Sequence, residues 1–178
     1  MQKETSGKVA TPSAKMLVLV CQNLACVKIT GRANFTFSPD FKTLISELHQ
    51  KGCDHFIIDL SDCVHMDSTF LGVMAGFGLK MNQAGAPGQQ RFELLNPNTR
   101  ITELLENLGA LHLFKVTTGT MQLPDDIQAR TPDSINPTRE QIKRPSLEAH
   151  QTLMAVNPAN VARFKDVTLF LAEDLKKT

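Results

Sequence analysis

The run from His55 to Leu79 limits the fold more than any other part of this chain. The apolar stretch Phe56-Ile57-Ile58-Asp59-Leu60 is too short for a helix and reads as a central strand covered on both faces. It ends at Asp59-Leu60 and passes through a short polar turn to Asp67-Ser68. Phe70 to Leu79 then follows with no charged side chain before Lys80. A buried strand leading directly into an uncharged helix requires a layered α/β structure, because both elements need apolar cover. Ser68 stands at the junction, as N-cap or first-turn residue, where a hydroxyl can satisfy free backbone N–H groups.

The flanking sequence repeats this alternation. Met16–Cys21 and Leu24–Thr30 are β-rich runs on either side of Gln22-Asn23, which predicts a hairpin that Gly31 then ends. Ser38-Pro39 opens a helix with Phe41, Leu44, Ile45 and Leu48 at helical spacing. After the breaker segment Asn82–Gly88, Arg91–Leu95 reads as a strand. Asn98 or Thr99 then caps a helix carrying Ile101, Leu104, Leu105 and Leu108, which stops at Gly109. Leu113–Val116 closes the unit. The order β-β-α-β-α-β-α-β implies a mixed, mostly parallel sheet covered by helices, spanning residues 14–122.

Residues 1–13 are polar, lack the apolar core of a secretory signal, and are expected to form a flexible tail of a cytoplasmic protein. Residues 123–145 contain Pro124, Pro132, Pro137 and Pro145 and read as a linker or a surface-hugging loop. Residues 146–178 predict a helical hairpin. Ser146 caps its first helix, and Val161, Phe164, Val167, Leu171 and Leu175 form a stripe on the second.

Composition removes several function classes. With 19 basic and 18 acidic residues, the net charge of +1 supplies no field for nucleic acid or anionic lipid. Phe70–Leu79 is about half the ~20 residues of a membrane span. Cys21, Cys26, Cys53 and Cys63 lack metal-ligand spacing and read as buried free thiols. His65, Asp67 and Ser68 are too close in sequence for a catalytic triad, and no phosphate-cradling Gly-x-x-x-x-Gly-Lys loop occurs. No catalytic residue, metal or cofactor is expected, and the chain does not read as an enzyme.

Ile58-Asp59-Leu60-Ser61, Met66-Asp67-Ser68-Thr69, Leu71-Gly72, Gly31, Asn96-Pro97 and Leu108-Gly109 together resemble the STAS domains, and within them the bacterial anti-sigma factor antagonists. The likeness covers about residues 16 to 120. It implies that Ser68, or alternatively Thr69, is phosphorylated by a partner serine kinase that is itself the anti-sigma factor and brings its own ATP and Mg²⁺. A serine phosphatase would reverse the step. One departure is Phe70, where the family usually has glycine. Asp67, Ser68, Thr69, Phe70, Val73 and Phe77 form the expected partner surface, with Phe70 and Phe77 as anchors. Gly72 and Gly76 would permit close approach. A second expectation is a constitutive STAS-type scaffold or assembly subunit of a stress-signalling or lipid-transport complex. In that case Ser68 stays unmodified and the C-terminal helices form a homodimer.

Overall fold

The computed structural model describes residues 13–121 and 128–177. The expected N-terminal tail, apart from Ser13, and residues 123–127 of the expected linker lie outside the described residues. Five strands form one sheet in the order β1-β2-β3-β4-β5. These are β1 Lys15–Cys21, β2 Leu24–Ala33, β3 His55–Met66, β4 Phe92–Leu95 and β5 Lys115–Thr117. β1 and β2 form the antiparallel hairpin around Gln22-Asn23, with Gln22 at φ 54°. The remaining neighbours are parallel, so the sheet is mixed and mostly parallel as expected.

Helices α1 Ser38–Gln50, α2 Ser68–Ala84 and α3 Thr99–Asn107 connect the parallel strands. Their apolar side chains share one core with alternate residues of the strands. Phe41, Ile45, Leu71, Met74, Ile101 and Leu105 meet Val27, Ile29, Phe56, Ile58, Phe92 and Leu94 in this core. Burial along β3 alternates: Phe56, Ile58 and Leu60 are fully buried, whereas Ile57 and Asp59 are half-buried. One face of the central strand is therefore closed by helices and the other only partly covered, a correction to the expectation of cover on both faces.

Three boundaries also differ from expectation. β3 does not end at Leu60 but runs to Met66. Residues 62–66 continue to pair with Thr30–Ala33 of β2 through register shifts at Lys28/Thr30 and Gly31/Arg32. Gly31, at φ 79°, is a bulge inside β2 rather than its end. At the other side of the sheet, Leu111–Leu113 is a 3₁₀ turn, and the last strand begins at Lys115.

The C-terminal hairpin comprises α4 Arg139–Val156 and α5 Val161–Lys176. α4 starts at Arg139, not at Ser146. Thr138 Oγ1 accepts from Gln141 N, and the Gln141 side chain accepts from Thr138 N, forming a capping box that the expected linker concealed. Pro145 lies inside the helix and is buried. Ser146 Oγ donates to the Ile142 carbonyl at 2.8 Å rather than capping anything. Before α4 the chain hugs the domain. Arg130 makes a two-bond bridge to Val18 of the edge strand, and Asp40 accepts from Ser134 Oγ and Ile135 N. Among the described residues no helix is long and apolar enough to cross a membrane.

Candidate functional site

Asp67 organises the junction between β3 and α2. It is the N-cap of α2, with its Oδ1 accepting from Phe70 N at 2.8 Å. Its Oδ2 accepts from Phe35 N at 2.7 Å in the loop between β2 and α1. Both carboxylate oxygens are thus used on backbone donors, and the turn is fixed to the neighbouring loop.

Ser68 is therefore the first residue of α2 and half-buried. Its hydroxyl lies 3.2 Å from Nε2 of His150 in α4. Nδ1 of the same ring is 2.8 Å from the Ser146 carbonyl, which can only accept, so Nδ1 carries the proton. Nε2 then offers a lone pair, and Ser68 Oγ–H donates to it. Burial pushes the His150 pKa below its usual value, against the opposing effects of the Ser146 carbonyl and the Asp67 charge, and this favours the neutral ring. His150 stacks at a tilt on Phe164 of α5, with ring centres 4.8 Å apart. Sequence reasoning missed this partner, which is separated from Ser68 by 82 positions. The imidazole near Ser68 belongs to the C-terminal helix and not to His65.

The other expected partner-surface residues do not form an open strip. Phe70 is 0% exposed, with its ring 4.8 Å from that of Phe41 and 6.0 Å from that of Phe37. It fills the core between α1 and α2 and is not a surface anchor. Thr69 and Val73 are buried as well, and Phe77 is half-buried against α1, its ring 6.3 Å from Phe41. Gly72 does permit a close approach, but by this chain's own α4. A Cβ at position 72 would lie 2.6 Å from the Ala149 carbonyl oxygen. Exposed apolar side chains flank the turn instead: Phe35 at 48% and Val64 at 54% exposure.

Beside this contact, α1, α2 and α4 leave a cleft of about 220 Å³ lined by Lys42, Gly76, Phe77, Lys80, Glu148 and Thr152. The four cysteines are free, as read from the sequence, but Cys21 is only half-buried, a correction to the expectation that all are buried. Cys26, Cys53 and Cys63 are buried, and burial pushes the Cys26 thiol up to about 11, which makes it a poor nucleophile.

Residues 16–122 match the model of the STAS domain family. The chain belongs to the STAS domain family. Among curated proteins, this chain is similar to the anti-sigma-B factor antagonist of Staphylococcus aureus strain NCTC 8325. The two are 28% identical over 94 residues, covering 53% of this chain and 83% of the relative. Among solved structures, the anti-sigma factor antagonist SpoIIAA in its unphosphorylated form aligns with a TM-score of 0.50 at 19% identity. That alignment covers 60% of this chain and 89% of the other. A putative anti-sigma factor antagonist from Thermotoga maritima aligns with a TM-score of 0.49 at 20% identity, over 62% of this chain and 87% of that one. The STAS match ends before α4, so the hairpin that reaches Ser68 lies outside the matched region.

Proposed function

We propose that this STAS protein is a phospho-switchable anti-sigma factor antagonist. Unphosphorylated, it binds an anti-sigma factor serine kinase; phosphorylated on Ser68, it is released. The observation that carries this reading is a half-buried serine on the first turn of α2, in a turn that Asp67 fixes by accepting from Phe35 N and Phe70 N. The relatives' name, anti-sigma-B factor antagonist, supplies the class of partner.

In the reaction Ser68 Oγ attacks the γ-phosphorus of ATP bound to the kinase with Mg²⁺. An O–P bond forms, the bond to ADP breaks, and the hydroxyl proton passes to a base. This chain is the substrate, with no catalytic role and no cofactor of its own, and it acts in the cytoplasm. The product carries about −1.5 to −2 charges at neutral pH. On the first turn of α2 that charge faces free N–H groups and the positive end of the helix, so the domain tolerates it. At a docked interface next to Asp67 the same charge is expensive to desolvate and repels acidic partner groups. The partner surface is the Asp67-Ser68 turn flanked by Phe35 and Val64, with Thr69, Phe70 and Val73 supporting it from within. A serine phosphatase restores the binding form.

The test is capture of the partner from host cells on wild-type protein, Ser68→Ala and Ser68→Asp. Ser68→Ala should retain the kinase and Ser68→Asp should lose at least about tenfold in affinity, roughly 1.4 kcal/mol. Equal binding by all three rejects the switch. A second reading, a constitutive scaffold assembling through the hairpin, is favoured by Leu169 and Phe170 on α5, which are 63% and 66% exposed. It predicts a dimer by light scattering that Phe170→Asp dissociates, with Ser68 unmodified in the host.

A further inference from the structure

We infer that the α4–α5 hairpin is an autoinhibitory cover over the acceptor serine, and that a docked hairpin and a phosphorylated Ser68 exclude one another. This deepens, and rests on, the reading of Ser68 as a phosphoryl acceptor. It says when that serine is available.

The argument begins at the stripe Ser68, Gly72 and Gly76, which recurs every four residues and so lies along one side of α2. α4 occupies that side. The Ala149 backbone sits where a Gly72 side chain would be, and Thr152 lies opposite Gly76. His150, one residue beyond Ala149, accepts a hydrogen bond from the Ser68 hydroxyl at Nε2. A kinase must bring a γ-phosphoryl group in line with Ser68 Oγ, and His150 stands against that oxygen. Kinase and hairpin therefore compete for the same atom.

After transfer the conflict becomes stronger. Phosphoserine Oγ has no proton to give, so Nε2 of the neutral ring loses its donor. The phosphoryl group needs volume that Ala149 and His150 fill, and its charge would be desolvated under α4. Each of these terms opposes the docked helix, while the helix N-terminus continues to accept the charge. By linkage, whatever favours the undocked hairpin favours phosphorylation, and the reverse.

The hairpin is attached by apolar and polar contacts together. Outside the Ser68–Gly76 stripe it is held by Leu153, which is buried in the shared core, by Val156 and Phe164 packed against that core, and by polar links: the Lys42–Glu148 ion pair, Asn160 Nδ2 to the Leu108 carbonyl and Arg163 Nη1 to the Asn107 carbonyl. The cleft of about 220 Å³ between α1, α2 and α4 leaves part of this interface unfilled.

The test needs no kinase. Phosphoserine is installed at position 68 of the full chain during translation, and amide hydrogen exchange is compared with wild type. Exchange across Ser146–Val156 should accelerate at least about tenfold, with α1, β2 and β3 unchanged. Ser68→Ala removes the hydrogen bond without adding bulk or charge and should accelerate exchange there by less than phosphoserine does. Gly72→Leu, which wedges α4 away without touching Ser68, should also deprotect α4 alone. Unchanged protection of α4 in the phosphoserine protein overturns the proposal. So does loss of protection in β2 and β3 together with α4 in either protein, since the hairpin would then be part of the folding core. Failure of the acceptor reading shows elsewhere, as the absence of a phosphoryl group on Ser68 in protein from the host.

Discussion

Asp67 fixes the turn that carries Ser68, His150 hydrogen-bonds its hydroxyl, and each makes a separate prediction. Asp67→Ala removes the α2 cap and leaves Phe35 N without its acceptor. A loss of about 1–3 kcal/mol in urea unfolding is expected. Asp67→Asn, which keeps one carbonyl oxygen for the cap, should lose less. His150 gives a pH dependence. Its folded pKa lies below its usual value, so the unfolded chain takes up the proton first as pH falls. The stabilisation is complete above about pH 6.5 and is lost as pH falls through the folded pKa. The Asp67 charge and the Ser146 carbonyl limit the size of the effect. Comparing wild type with His150→Gln by urea unfolding at about pH 7.5 and about pH 5.5 isolates it. Wild type should lose more stability than the variant on acidification, and a larger loss in the variant contradicts the neutral buried imidazole.

At the scale of the element, α2 is the piece that sequence patterning read least well. Its apolar residues surround the whole helix, so periodicity could not distinguish a face open to partners from one covered by the chain itself. The structure assigns Phe70 to the α1 side and Gly72 to α4. Phe70→Ala should cost about 3–5 kcal/mol in thermal unfolding, as for a fully buried aromatic. A loss below about 1 kcal/mol would return Phe70 to the surface. α3 was legible because Asn98 and Gly109 punctuate it at both ends, and both act as read: Asn98 Oδ1 accepts from Ile101 N, and Gly109 takes φ 67°. The start of α4 was hidden by Pro145, one of the prolines that mark the expected linker. The signal that locates it, Thr138 three residues before Gln141, was present in the sequence. The extension of β3 to Met66 was masked by Ser61, Asp62 and His65. These polar side chains resemble a turn but sit on a half-covered part of the sheet.

For the whole molecule, the mixed, mostly parallel sheet and the STAS membership followed from the alternation of strands and helices together with the Asp67-Ser68 turn. The relation of the hairpin to the domain did not, because docking of α4 depends on contacts between residues far apart in sequence, such as Ser68 with His150 and Asn160 with Leu108. Asn160→Ala removes the donor to the Leu108 and Leu153 carbonyls, both in a buried setting. It should loosen the hairpin by about 1–3 kcal/mol, seen as faster exchange in α4 and α5 with the sheet unaffected.

The central claim is that Ser68 accepts a phosphoryl group in the cell, and mass spectrometry of the protein isolated from its native host tests it most directly. The account predicts a population heavier by about 80 Da, the mass of one phosphoryl group, with the added mass located on Ser68 in the peptide spectrum. An unmodified Ser68 peptide under every growth and stress condition sampled would contradict it.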